Sequence, residues 1–236
     1  MYSFEYKLKI IKHTDLAEKI NESENVLRKA YEKYGDRIAI FWTGGKDSTV
    51  LLHMIRNIFG NKNKLKVLFL DTQLDFDEVY EFIERIKKEW RINLITEKTT
   101  DKMMKKYNSL KTKKERVELA SIFKIILLKE AVKKQKLPAL AIGIRWDEHP
   151  ERASEKYFSP REGHVRVHPL LHFTEEDIWK YIKKFRLPYI SLYDKGYRSL
   201  GEREFTKPST RSGGERSGRQ KEREVIMKRL RDLGYF

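Results

Sequence analysis

The chain has 236 residues, enough to bury one sizeable core, and it has no cysteine, which excludes disulfides, thiolate metal sites, cysteine-ligated clusters and any cysteine nucleophile of its own. Its 51 lysines and arginines against 35 acidic residues leave a net charge of +16, densest over residues 101–136 and 195–231. A field of that sign draws anions: nucleotides, sulfate, nucleic acid or an acidic protein surface. No apolar run has the length of a bilayer, and residues 1–7 lack a secretory pattern, so no membrane partner is expected and a cytoplasmic location follows by elimination.

In chain order, Leu16, Ile20, Val26, Leu27 and Ala30 recur at helical spacing, with a break expected near Asn21. Residues 37–42 form an apolar run of strand length, and Val50, Leu51, Met54, Ile55 and Ile58 recur as on a helix. A turn follows at 60–63, a buried strand at 66–70, a helix carrying Phe76, Val79, Phe82, Ile83 and Ile86, and a strand at 92–95. A long helix over 113–136 bears Val117, Leu119, Ala120, Ile122, Phe123, Ile126 and Leu127, and Pro138 stops it before a buried strand at 139–143. Residues 165–171 alternate like a last strand, and Thr174 to Asp177 opens a capped helix. The glycine, serine and arginine of 206–218 read as a mobile loop, and 219–233 as a terminal helix. Alternating strands and helices imply an α/β fold, a Rossmann-like parallel sheet with helices on both faces, over residues 1–187, followed by an irregular extension over 188–236.

The chemistry gathers at Thr43, Gly44, Gly45, Lys46, Asp47 and Ser48, between the first strand and its helix. Paired glycines let backbone approach a ligand, and the opening amides of a helix lack intrahelical partners, so the turn suits an anion such as a phosphate chain. Lys46 adds charge, Ser48 a hydroxyl, and Asp47 a carboxylate that fixes the loop or meets a cation; a plain strand-to-helix turn is the alternative. The spacing is not that of a Walker A loop. Asp71 and Thr72 end the second strand, where ligands of open parallel sheets bind, although a strand-end aspartate also caps helices. Arg145 and Arg152 leave the fourth strand with Asp147 and Glu148 beside them, planar forks suited to phosphate or sulfate, with the carboxylates orienting them or holding magnesium. Alone, that group fits a surface ion-pair cluster slightly better; paired with the glycine loop, the functional reading overtakes it. The histidines form no metal signature, since Pro169 separates His168 from His172 on any helical face.

The loop resembles the pyrophosphate loop of the adenine nucleotide alpha-hydrolase superfamily. With Leu70-Asp71-Thr72, Arg145-Trp146-Asp147-Glu148, Arg152, Val167-His168-Pro169-Leu170, Arg198-Ser199-Leu200-Gly201 and Glu215-Arg216-Ser217-Gly218-Arg219, the chain resembles sulfate adenylyltransferase small subunits, within the phosphoadenosine phosphosulfate (PAPS) reductase family. That resemblance implies ATP with magnesium as cofactor, transfer of its adenylyl group to sulfate, and release of pyrophosphate into the loop. It implies Lys46, Arg145 and Arg152 as catalytic residues, Arg198 as a further anion ligand, and a GTPase large subunit as partner. Gln73 stands where the family usually has glycine, and the segment from Arg152 to Val167 is short. Reductases of the family use a cysteine, and some hold a cluster on a Cys-x-x-Cys that would fall near Glu202 and Phe205; lacking both, the chain is expected to be incapable of thiol-based reduction. ATP-dependent adenylation of RNA by the basic 101–136 helix, a non-catalytic nucleotide-binding subunit and a homo-oligomer remain open.

Overall fold

In the computed structural model, which describes residues 8, 10–60, 65–210 and 213–220, the apolar runs become the strands of one sheet. The strands are β1 (Ile38–Phe41), β2 (Lys66–Asp71), β3 (Leu94–Lys98), β4 (Ala139–Ile142), β5 (Phe158–Arg161) and β6 (His164–Val167), in spatial order β3-β2-β1-β4-β6-β5. All neighbouring pairs are parallel except β5 and β6. Every position of β1 and β4 is buried, which requires cover on both faces. The helices include α1 (Leu16–Tyr34), α2 (Lys46–Phe59), α3 (Asp77–Glu89), α4 (Asp101–Ser109), α5 (Lys113–Gln135), α6 (Pro150–Ala153) and α7 (Glu175–Phe185). Helices α1, α2 and α7 pack on one another, and α5 lies against β2 and β3. No helix among the described residues is long and apolar enough to cross a membrane.

Several expectations need correction. Helix α1 runs without a break, because the polar stretch at Asn21 serves tertiary contact: Ser23 is buried and its hydroxyl donates to Pro169 O at 2.8 Å. Strand β3 starts two residues late, since Arg91 takes φ +50° and Ile92 N still bonds Lys87 O to close α3; pairing begins at Val67 with Leu94. The basic stretch is two helices, divided where Thr112 forms a capping box with Glu115, and Ile122 and Ile126 of its expected apolar stripe are exposed. Strand β5 was not expected, because Ser159 and Pro160 read poorly as strand, yet proline is tolerated on an edge. The two-residue turn into β6 places Gly163 at φ +77°. Part of the expected turn at 60–63 and nearly all of the expected terminal helix lie outside the described residues.

Under α1, Lys19 Nζ meets Asp177 at 2.6 Å, and His172 bridges Lys19 O (2.8 Å) and the Tyr157 hydroxyl (3.0 Å). Burial pushes His164 and His172 down to about 4 and holds His168 well below its usual range. In the unfolded chain each titrates near about 6.5. Their contribution is therefore complete above about pH 6.5 and is lost as pH falls toward about 4, at up to about 1.4 kcal/mol per histidine per pH unit. Asp75, pushed up to about 6 by burial, opposes this with one carboxyl. Thermal melting followed from about pH 7 to pH 4.5 should show a falling midpoint, flattened in His172→Gln; a level profile would refute the assignment.

Candidate anion-binding site

The site forms where β1 delivers the chain to α2 at the carboxyl edge of the sheet. Trp42 is fully buried, its indole donating to Thr49 Oγ1 at 3.1 Å, which anchors the loop from below. Gly44 takes φ +76°, and a Cβ there would stand 3.3 Å from Ile83 Cγ1, so this position needs glycine. Gly45 caps α2, and the Lys46 amide donates to the Tyr193 hydroxyl at 2.9 Å. The Ser48 hydroxyl accepts from Thr43 N at 3.2 Å and donates to Gly45 O at 3.0 Å, so it braces the loop internally. Gly143, just past β4, lets that strand pass close to the loop: a Cβ would lie 3.0 Å from Asp47 O.

Lys46 and Arg145 meet there, both almost wholly buried. Lys46 Nζ reaches Arg198 O at 2.7 Å, Glu215 Oε1 at 2.5 Å, Asp47 at 3.4 Å and Glu175 at 3.9 Å. The Arg145 guanidinium pairs with Asp47, Glu215 and, through Nε at 3.0 Å, Asp147. Burial raises the Glu215 carboxyl, but Lys46 and Arg145 together overcome this and hold it below its ordinary value. Arg152 stands apart from Arg145, paired with Glu148, which also receives Arg216 at 3.1 Å. Asp147 therefore orients Arg145 and accepts from Glu175 N at 3.0 Å, while Glu148 orients Arg152. Arg198 pairs with Glu175 at 2.5 Å and keeps a side chain 42% exposed; its carbonyl, not its guanidinium, faces Lys46. Asp71 closes its own turn, accepting from Gln73 N at 2.8 Å and from Tyr80 at 3.0 Å, and Thr72 is buried beside it.

A cavity opens between the loop and the segment following α7. Lys46, Lys124, Arg152, Arg216 and Arg219 line it with Asp75, Glu148 and Glu215. The expected mobile loop at 206–218 is instead tied into this wall over its described residues: Thr206 bridges Arg219, Lys207 N bonds Gly218 O at 2.9 Å, and residues 215–218 form a short 3-10 turn. Sequence reasoning gave Glu215, Tyr193, Lys124 and Asp75 no role. The one local signal was an acid flanked by Gly213, Gly214 and Gly218 inside an arginine-rich run. Where a cluster-binding Cys-x-x-Cys would fall, Glu202 is buried against Lys124 at 2.6 Å and Phe205 packs in an apolar cluster with Phe123 and Tyr107. That donor set does not fit an iron–sulfur cluster.

The family described as "Phosphoadenosine phosphosulfate reductase domain" matches residues 37–208. The chain belongs to this family. Among curated relatives, adenosine 5'-phosphosulfate reductase 1 of Bacillus subtilis (strain 168) is 33% identical over 201 residues, covering 83% of this chain and 84% of that protein. The corresponding reductase of Staphylococcus haemolyticus is 34% identical over 200 residues, covering 82% and 80%. Among solved structures, a phosphoadenylyl-sulfate (PAPS) reductase from Candida auris superposes with a TM-score of 0.66 at 20% identity, over 86% of this chain and 97% of that one. An FMN adenylyltransferase from Candida glabrata reaches 0.62 at 21% identity, over 88% and 73%. At such identities these structures establish the fold alone.

The relatives overturn the expected activity. They are named reductases of adenosine 5'-phosphosulfate and not adenylyltransferases, so the assignment as a sulfate adenylyltransferase small subunit, and as a nucleotidyltransferase, does not stand. The chain itself carries no cysteine and so holds no thiol nucleophile.

Proposed function

We propose that this member of the PAPS reductase family binds adenosine 5'-phosphosulfate in the cavity beside the glycine loop and presents its sulfur to a thiol that the chain does not carry. The observation that carries this is the ring of lysine and arginine around a cavity at the carboxyl edge of the sheet, in a chain a third identical to named adenosine 5'-phosphosulfate reductases. Guanidinium forks match the oxygens of a phosphate–sulfate linkage, and burial strengthens their hold. Arg152 and Arg216 share Glu148 and stand together; Lys124 comes from α5 and Arg219 from the segment after Gly218.

The co-reactant is an external dithiol. Its thiolate attacks the sulfur of the sulfo group, the bond from that sulfur to the bridging oxygen breaks, and AMP leaves with the oxygen. The second thiol then displaces sulfite from the S-sulfonate, and the dithiol ends as a disulfide, having supplied two electrons. The chain's contribution is to hold the nucleotide, neutralise the oxyanions as charge moves to the leaving phosphate, and shield the linkage from water. Sulfite and AMP should appear in equal amounts from adenosine 5'-phosphosulfate when a small dithiol is present, at rates rising with dithiol, and not in its absence. Absence of thiol-dependent sulfite, together with no heat of binding for adenosine 5'-phosphosulfate, would refute the proposal.

A further inference from the structure

The lysines and arginines that line the cavity among the described residues are all committed to carboxylates, Glu148, Glu202 or Glu215. The Tyr193 hydroxyl, in the same wall, is committed only as an acceptor. It takes the hydrogen of the Lys46 amide at 2.9 Å, and its own hydrogen finds no acceptor among the described residues. Its oxygen is placed with little freedom: Tyr193 ends a 3-10 turn over residues 191–193, its amide bonds Ile190 O at 3.1 Å, and Trp179 meets its ring edge-on at 5.4 Å. Lys46 is the first residue of α2, so the bond it gives brings the positive end of that helix to the phenol. A hydroxyl that already accepts such a bond is polarised and donates more strongly. Burial holds the phenol above its ordinary value, although Lys46 and Arg145 pull the other way, so it keeps its hydrogen at neutral pH.

An external thiol has to reach sulfur from the side opposite the oxygen that leaves. The sulfo group therefore faces the mouth of the cavity and the phosphate faces the glycine loop, where the Tyr193 hydroxyl stands. We propose that Tyr193 is a substrate-binding residue: its hydroxyl accepts from the first amide of α2 and donates to a phosphate oxygen of the nucleotide, relaying the positive end of the helix to the group that takes up charge as the sulfur–oxygen bond breaks. The bond strengthens as AMP forms, so it favours the transition state over the bound substrate. No proton is transferred, because a phenol lies far above the second ionisation of a phosphate, at about 6. The effect on rate rests on the function proposed above; the contact with a nucleotide phosphate is tested on AMP alone.

Calorimetric titration of the native chain and of Tyr193→Phe with AMP and with adenosine tests the contact, and initial rates of thiol-dependent sulfite release test its use. Phenylalanine keeps the ring against Trp179 and removes only the oxygen. AMP should bind about tenfold more weakly, the scale of one hydrogen bond to a charged group, and adenosine within about threefold of its native affinity, a split that general loosening of the fold would not produce. The kcat should fall by about tenfold or more, with a smaller change in KM. AMP bound as tightly as before, or more tightly, would overturn the role of Tyr193, since the hydroxyl would then only cap the Lys46 amide. Equal losses for AMP and adenosine, or no AMP binding by the native chain, would overturn it too. If the phenylalanine variant does not fold, a ring-fluorinated tyrosine at position 193 takes its place: the more acidic hydroxyl should tighten AMP and leave adenosine alone, and unchanged AMP would overturn the proposal. Weaker AMP in Tyr193→Phe with no thiol-dependent sulfite from the native chain would overturn the proposed reaction and leave the phosphate contact standing.

Discussion

Replacing Lys46 by methionine is expected to destabilise the fold by about 3–5 kcal/mol, the range for removing one partner of a buried ion pair. The lysine side chain is 1% exposed and is the nearest cation to Glu215 besides Arg145. Methionine fills the stem's volume but leaves the Arg198 carbonyl without its donor and Glu215 with half its charge compensation. At about 2–4 °C per kcal/mol for a chain of this size, the melting midpoint should fall by roughly 10 °C. The double variant Lys46→Met with Glu215→Gln separates charge from packing: it should recover about 1–3 kcal/mol, the coupling expected of groups in contact. A loss under about 1 kcal/mol in the single variant, or no recovery in the double, would show that the 2.5 Å pair does not hold the loop.

A second large effect is expected at Arg145. Its guanidinium is fully buried and divides among Asp47 on α2, Asp147 beyond β4 and Glu215 near the end of the described chain. No lysine can reproduce that three-way fork, since an ammonium on a flexible stem is a point charge. Arg145→Lys should therefore lose about 2 kcal/mol despite keeping its charge, the scale of one charge-assisted hydrogen bond. Arg145→Ala, which strands three carboxylates around a void, should lose about 4 kcal/mol or more. Because Asp47 opens α2, its release also loosens the loop, so thiol-dependent sulfite formation should fall in Arg145→Lys by more than its stability alone accounts for. Denaturant midpoints and initial rates measured side by side decide this; a lysine variant as stable and as fast as the native chain would show that the fork is dispensable.

Both residues were visible in the sequence, because each stands where local pattern has meaning. Lys46 follows a glycine pair between a strand-length apolar run and a helical stripe, and Arg145 lies just beyond the buried run that becomes β4. Asp47 and Asp147, their near partners, stood in the same short windows, but the distant one did not show. Glu215 is 169 residues from Lys46 and 70 from Arg145, and no periodicity links positions so far apart. Nor does spacing show that Arg145 and Arg152 enter separate ion pairs, or that Arg198 is turned toward Glu175. The reaction class was lost for a different reason. A glycine loop reads the size and charge of an anion, properties that pyrophosphate shares with other oxyanions, so its spacing carries no information about which bond is cut.

Composition and periodicity alone determined the alternation of strands and helices, the place of the loop at the carboxyl edge, and the absence of any thiol in the chain. These are properties of short windows or of counting, where side-chain spacing and backbone geometry act over one or two turns. The antiparallel edge strand β5, the burial of Glu202 against Lys124 and the seating of Glu215 on Lys46 and Arg145 were decided only by the tertiary structure. Each depends on bringing distant segments into contact, and a buried charge acquires its meaning only from the opposite charge that the fold carries to it.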